Sequence, residues 1–166
     1  MKKVLFLLFM GVTFLMPSSD YKKFDSVQSS FASSEQIEII NEGRSVIFDK
    51  GTDEYYSILF EFEKMIYGSH QMPAFGVSLD SLTREEMKKG LWVRFIFDGV
   101  NYNGDLPFES LLIQVVDDYS GFNVIREYEG KFDGRCFYID LVNNTMDEFY
   151  LYLVNGKKWG NKVNLL

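Results

Sequence analysis

The chain has one cysteine, one histidine and three prolines in 166 residues. A lone cysteine, Cys136, excludes an intrachain disulfide, so the folded unit must be held by its apolar core. Cys136 lies in the alternating run Arg135-Cys136-Phe137-Tyr138-Ile139-Asp140, where a small buried side chain is expected. A lone histidine, His70, excludes a histidine-rich metal site and would leave any catalytic dyad to be built on that residue alone. It falls in the loop Gly68-Ser69-His70-Gln71-Met72-Pro73, where a solvated ring is the expected state. Neither a dinucleotide-binding glycine spacing nor a P-loop occurs, and there is no internal repeat. No cofactor is implied.

Positive charge is scarce. Lysine and arginine number 17 against 24 acidic residues, for a net charge of −7. That balance repels phosphate backbones, which are bound chiefly through basic side chains, and excludes nucleic acid as an expected partner. Few prolines and 17% aromatic residues exclude a disordered chain. The longest uncharged apolar run, Val4 to Met16, has thirteen residues. A membrane-crossing helix needs roughly 18, so no stable membrane span is expected.

What is present at the start is Lys2-Lys3 followed by that short apolar run, the pattern of a secretory signal peptide. Two cleavage points fit small residues before the cut. Ser30-Phe31-Ala32 has the small-x-small form, whereas Pro17-Ser18-Ser19 is nearer the run but carries a proline. The first is the expected cut, giving a leader and spacer over 1–32 and a single domain over 33–166. Removing 1–32 takes away four lysines and two aspartates and leaves a net charge of −9. The expected location is secreted or cell-surface; were Val4 to Met16 a buried segment instead, the protein would be a cytoplasmic interaction domain.

Within 33–166 the pattern alternates in type. Gln36 to Ile40 and Ser45 to Phe48 flank Asn41-Glu42-Gly43-Arg44, which reads as a β-hairpin. Asp53 can cap a helix whose apolar residues Tyr55, Ile58, Leu59, Phe62 and Ile66 recur at three- and four-residue steps, with Gly68 behind it. A strand over Ala74 to Leu79 and a helix opening at the capping box Thr83-Arg84-Glu85-Glu86 and closing at Gly90 follow. Then four alternating runs, Leu91 to Asp98, Leu111 to Asp117, Phe122 to Glu129 and Arg135 to Leu141, are joined by glycine-bearing connections. Short connections force antiparallel neighbours, which predicts a four-stranded meander over about 91–141. Thr145-Met146-Asp147-Glu148 opens a last helix to about Asn155, and the tail Lys157 to Leu166 follows. The expected class is α+β, with the meander, an N-terminal hairpin and two or three covering helices.

Side chains two apart share a strand face. Pairing residue 94 with 114, 114 with 126 and 126 with 138 predicts a row of Arg94, Gln114, Arg126 and Tyr138 beneath Trp92. Two arginines there would suit a carboxylate, phosphate or acidic peptide. The opposite row, Val93, Phe95, Phe97, Leu111, Ile113, Val115, Phe137 and Ile139, is the expected core face. Acidic pairs at Asp53-Glu54, Glu85-Glu86 and Asp147-Glu148 sit where helices open, and Asp117-Asp118 where a strand ends. Asp98 to Asp105 only partly imitates an EF-hand loop, and no metal site is expected. The expected function is a non-enzymatic binding or inhibitory module for a protein or small anionic ligand. The alternative is a hydrolase using acidic residues of the Gly99 to Phe108 loop, with His70 as an assisting base.

Overall fold

A computed structural model of the chain describes residues 30–155. The apolar run Val4 to Met16, the cut at Ser19 and the tail Lys157 to Leu166 lie outside the described residues.

The sequence alternation becomes one antiparallel sheet. Strands β1 (Gln36–Asn41) and β2 (Arg44–Asp49) are joined through Glu42 and Gly43, both at positive φ, 50° and 78°. Two such residues make the tight turn whose twist matches that of the strands. Helix α1 (Asp53–Ile66) follows, then strand β3 (His70–Ser78) and helix α2 (Asp80–Glu86). Strands β4 (Leu91–Asn103), β5 (Leu106–Val115), β6 (Gly121–Glu127) and β7 (Gly134–Asp140) come next, and helix α3 (Asp147–Val154) is last.

The strand order is β2-β1-β4-β5-β6-β7-β3. The four alternating runs do lie side by side, but as the middle of a seven-stranded sheet among the described residues, which corrects the expected four-stranded one. The reason is that a hairpin alone is marginal and a four-strand meander would leave both outer strands bare. β1 pairs with β4 along its whole length, from Gln36 opposite Ile96 to Asn41 opposite Leu91. At the other margin β3 pairs with β7, through a register shift between Met72 and Gly76 that accommodates Pro73.

One sheet face is the main core. Ile37, Ile39, Val93, Phe95, Leu111, Ile113, Val124 and Phe137 point there and are buried. α1 and α3 cover it. All five apolar positions read at helical spacing in α1 are buried. The cap, however, is Thr52, whose hydroxyl accepts the Tyr55 N–H at 3.2 Å, so Asp53 is the first helical residue. At the centre, Phe62 meets Phe95 at 4.7 Å and Phe149 at 5.7 Å between ring centroids. Phe31 completes this cluster, fully buried at 4.8 Å from both Phe62 and Phe95. Its neighbour Ser34 holds the buried Tyr55 hydroxyl, whose proton goes to the Ser34 carbonyl. The Ser-rich stretch therefore contributes a core ring on the leader side of the expected boundary at Ala32.

The other face carries a smaller cluster of Ile40, Trp92, Leu112 and Phe132, with Met87 and Ile125 packed against it. α2 lies here. It starts three residues before the capping box read at Thr83, which is instead a buried residue inside the helix. Asp80 opens the helix, and its carboxylate accepts the Phe132 N–H and the Arg84 guanidinium, each at 3.0 Å. Arg84 also donates to the Gly130 carbonyl at 2.8 Å. α2 is thereby laced to the β6–β7 turn.

Candidate functional site

The face under α2 holds most of the row singled out in the sequence, in a different register. Arg94 is opposite Leu112, and Gln114 is opposite Trp92. Ile113 is opposite Val124, so continuing that register places Gln114 opposite Asn123, three residues short of Arg126. A shift by an odd number of residues turns a side chain to the opposite face. Arg126 accordingly points to the main-core side, nearly buried, and the row that crosses the sheet is Trp92, Gln114, Asn123 and Tyr138.

Neither arginine is left open to a ligand. Arg94 donates to Glu38 Oε2 at 3.2 Å, to Glu127 Oε2, and to Ser110 Oγ at 2.9 Å, while Ser110 in turn donates to Glu127. Its guanidinium also sits 5.7 Å from the Phe132 ring centroid. An anion would have to displace two carboxylates. Arg126 donates to the backbone carbonyls of Arg135, at 2.9 Å, and Pro107. Burial pushes its pKa down from the usual value, although an arginine keeps its charge. With Asn103 donating to Gln71 at 3.3 Å, these contacts clamp the long β4–β5 hairpin toward β7 and β3.

Trp92, Gln114 and Tyr138 instead line a cleft of about 220 Å³ together with Asn123, Tyr119 and Ile125. A second lobe of about 290 Å³ continues it beneath α2, sharing Trp92, Asn123 and Ile125 and adding Val77, Leu79, Leu82 and Cys136. Trp92 is the hinge between the two. Its indole N–H donates to the carbonyl of Glu86, the last residue of α2, at 3.2 Å and to that of Lys89 just beyond it at 2.9 Å, which fixes the ring and secures the end of the helix. Tyr138 reaches over Gly121, where an added Cβ would collide with the phenol and lie 2.7 Å from the Ile139 carbonyl. Only glycine fits at that position.

The side chains of Gln114 and Asn123 make no hydrogen bond among the described residues. Each stands beside a glycine: a Cβ at Gly90 would be 3.6 Å from the Gln114 amide nitrogen, and one at Gly76 would be 3.8 Å from the Asn123 amide oxygen. Val77, Leu79 and Leu82 are 68%, 54% and 60% exposed, which makes the rim of the second lobe apolar. The one acidic residue on it, Glu86, is exposed and paired with Lys89 at 3.3 Å.

Sequence reasoning missed Asn123, Tyr119 and the α2 rim. Asn123 carried a usable signal, as the one polar side chain in Phe122-Asn123-Val124-Ile125. The rim carried none, because it depends on where α2 comes to rest. The residues of the hydrolase alternative are placed apart from this cleft. His70 is exposed at the first position of β3, in register with Asp140. Among the described residues no three of His, Cys, Asp and Glu gather as a metal site, and no helix is long and apolar enough to cross a membrane. No family model matches the chain, and neither a curated protein nor a solved structure was found to be similar to it.

Proposed function

We propose that this chain is an exported, non-enzymatic binding module whose ligand seat is the two-lobed cleft between α2 and the sheet. The observation that carries the reading is the pairing of two unengaged amides, Gln114 and Asn123, with an exposed apolar rim in one concavity. A surface kept only for solubility does not need a Leu-Leu-Val rim, and pockets that bind small molecules combine apolar walls with a few convergent polar groups. The ligand is uncharged rather than anionic, since Arg94 is already shared by two carboxylates and Arg126 faces the other side.

Export rests on Lys2-Lys3 and the apolar run Val4 to Met16. Of the two cuts, the one after Ser19 fits this reading better. A cut after Ala32 would strip the core of Phe31 and its contacts with Phe62 and Phe95. N-terminal sequencing of the protein recovered from culture medium tests this, with a start at Asp20 expected and a start at Ser33 refuting it. The cleft is tested with an uncharged fluorescent naphthylamine dye. Saturable enhancement is expected for the folded protein and its loss for Leu82→Glu; enhancement unaffected by that substitution would place the dye elsewhere and reject the cleft.

A further inference from the structure

We infer that the cleft takes a small uncharged amphiphile, its hydroxyl-bearing head between Trp92, Gln114, Asn123 and Tyr138 and its aliphatic part beneath α2 against Ile125 and Leu82. This rests on the reading of the cleft as the ligand seat and goes further by naming the chemistry of the ligand.

The head is argued from what the first lobe offers. A primary amide presents two donors and one acceptor side by side, and so does its neighbour across the strands. A hydroxyl group, at once donor and acceptor, uses both ends of such an amide. A carboxylate could use only the donors and an ammonium only the acceptor. Directly opposed residues on antiparallel strands hold their Cβ atoms about 5 Å apart, so Gln114 and Asn123 can engage neighbouring hydroxyls of one ring. Trp92, Tyr119 and Tyr138 line the same lobe and give flat apolar faces on which the C–H side of such a ring can rest. No cation lines either lobe, and Glu86 on the rim is already paired, so a charged head would be desolvated without a partner.

The tail is argued from the second lobe. Its exposed residues Val77, Leu79 and Leu82 are aliphatic, and its floor is Ile125, Cys136 and the edge of Trp92. The two lobes share Trp92, Asn123 and Ile125, so one molecule can occupy both with its polar and apolar parts sorted by the walls. The second lobe is the larger, and its exposed wall is aliphatic, with Ser78, Thr83 and Glu86 as further polar residues on its lining, which suits a chain rather than a single methyl group.

Displacement of the naphthylamine dye from the full chain tests the inference, with octyl β-glucoside below its micelle-forming concentration as probe and glucose, octanoate and an uncharged leucine-rich peptide as comparisons. The glucoside is expected to displace the dye at about tenfold lower concentration than octanoate, the ratio that one satisfied hydrogen-bonding head supplies, and at more than about a hundredfold lower concentration than glucose, which lacks the chain. Asn123→Leu, an exposed position whose exchange leaves the fold intact by circular dichroism, is expected to abolish the preference over octanoate. Equal displacement by octanoate, an unchanged preference in Asn123→Leu, or stronger displacement by the peptide would each overturn the inference while leaving the cleft as a binding seat. Failure of the folded protein to bind the dye at all would instead overturn the seat itself.

Discussion

Arg94 shows why a basic residue in a strand pattern is not the same as a basic site. Its guanidinium is divided between Glu38 and Glu127, side chains only 13% and 11% exposed, so the local charge is negative rather than positive. Arg94→Ala should cost about 3 kcal/mol in urea unfolding, near the lower end for removing one partner of a buried ionic group, because it leaves two carboxylates without a cation. Arg94→Lys, which keeps a cation between the two carboxylates, should recover part of that loss; an equal loss in both variants would show that the charge of Arg94 is not what the carboxylates require. In the sequence, Trp92 and Arg94 could be placed on one face by the two-residue period of their strand, and Gln114 and Tyr138 beside them because the alternate positions of their own strands are apolar. Arg126 could not, because its face depends on how many residues the turn Asp117 to Ser120 consumes.

At the scale of elements, α2 is the piece on which the cleft depends. It spans only seven residues and has no side-chain N-cap, so its place is fixed by tethers at both ends. Trp92 holds the last turn, and Asp80 ties the first to the β6–β7 turn. The Phe132 N–H and then Arg84 hold the Asp80 carboxyl below its ordinary pKa. A carboxyl depressed in the folded state contributes stability that is complete above its unfolded pKa of about 4 and disappears as the pH falls through the folded value. Asp80→Asn should therefore melt below the parent at neutral pH, and the gap should close as the pH is lowered past 4 toward 2. Thermal melts across that range check the prediction; a constant gap would mean that the charge of Asp80 is not involved. Elements with a strong period, such as α1 with its buried Tyr55, Ile58, Leu59, Phe62 and Ile66, were legible in the sequence. The start of α2 was not, because Asp80 and Thr83 both suit a helix opening and the choice between them is made by Phe132, about fifty residues away.

For the whole molecule, the class was legible and the extent of the sheet was not. Alternation in four runs identifies strands, but pairing of β1 with β4 bypasses β2, α1, β3 and α2, and nothing local in Gln36 to Asn41 announces it. The core that results joins both ends of the described chain through one aromatic cluster. Phe62→Ala should cost about 4 kcal/mol, the usual loss for truncating a buried phenylalanine. Because that ring touches Phe31, Phe95 and Phe149, near- and far-ultraviolet circular dichroism should lose signal in one coincident transition rather than two. Separate transitions would show that α1 and α3 melt off the sheet on their own. Phe31 also sets an order of events. The ribosome makes this ring before either of the residues that clasp it, and the last wall of its socket belongs to β4, in the middle of the sheet. A polypeptide emerging amino end first is thus still open inside, and shuts only after its central strand has arrived.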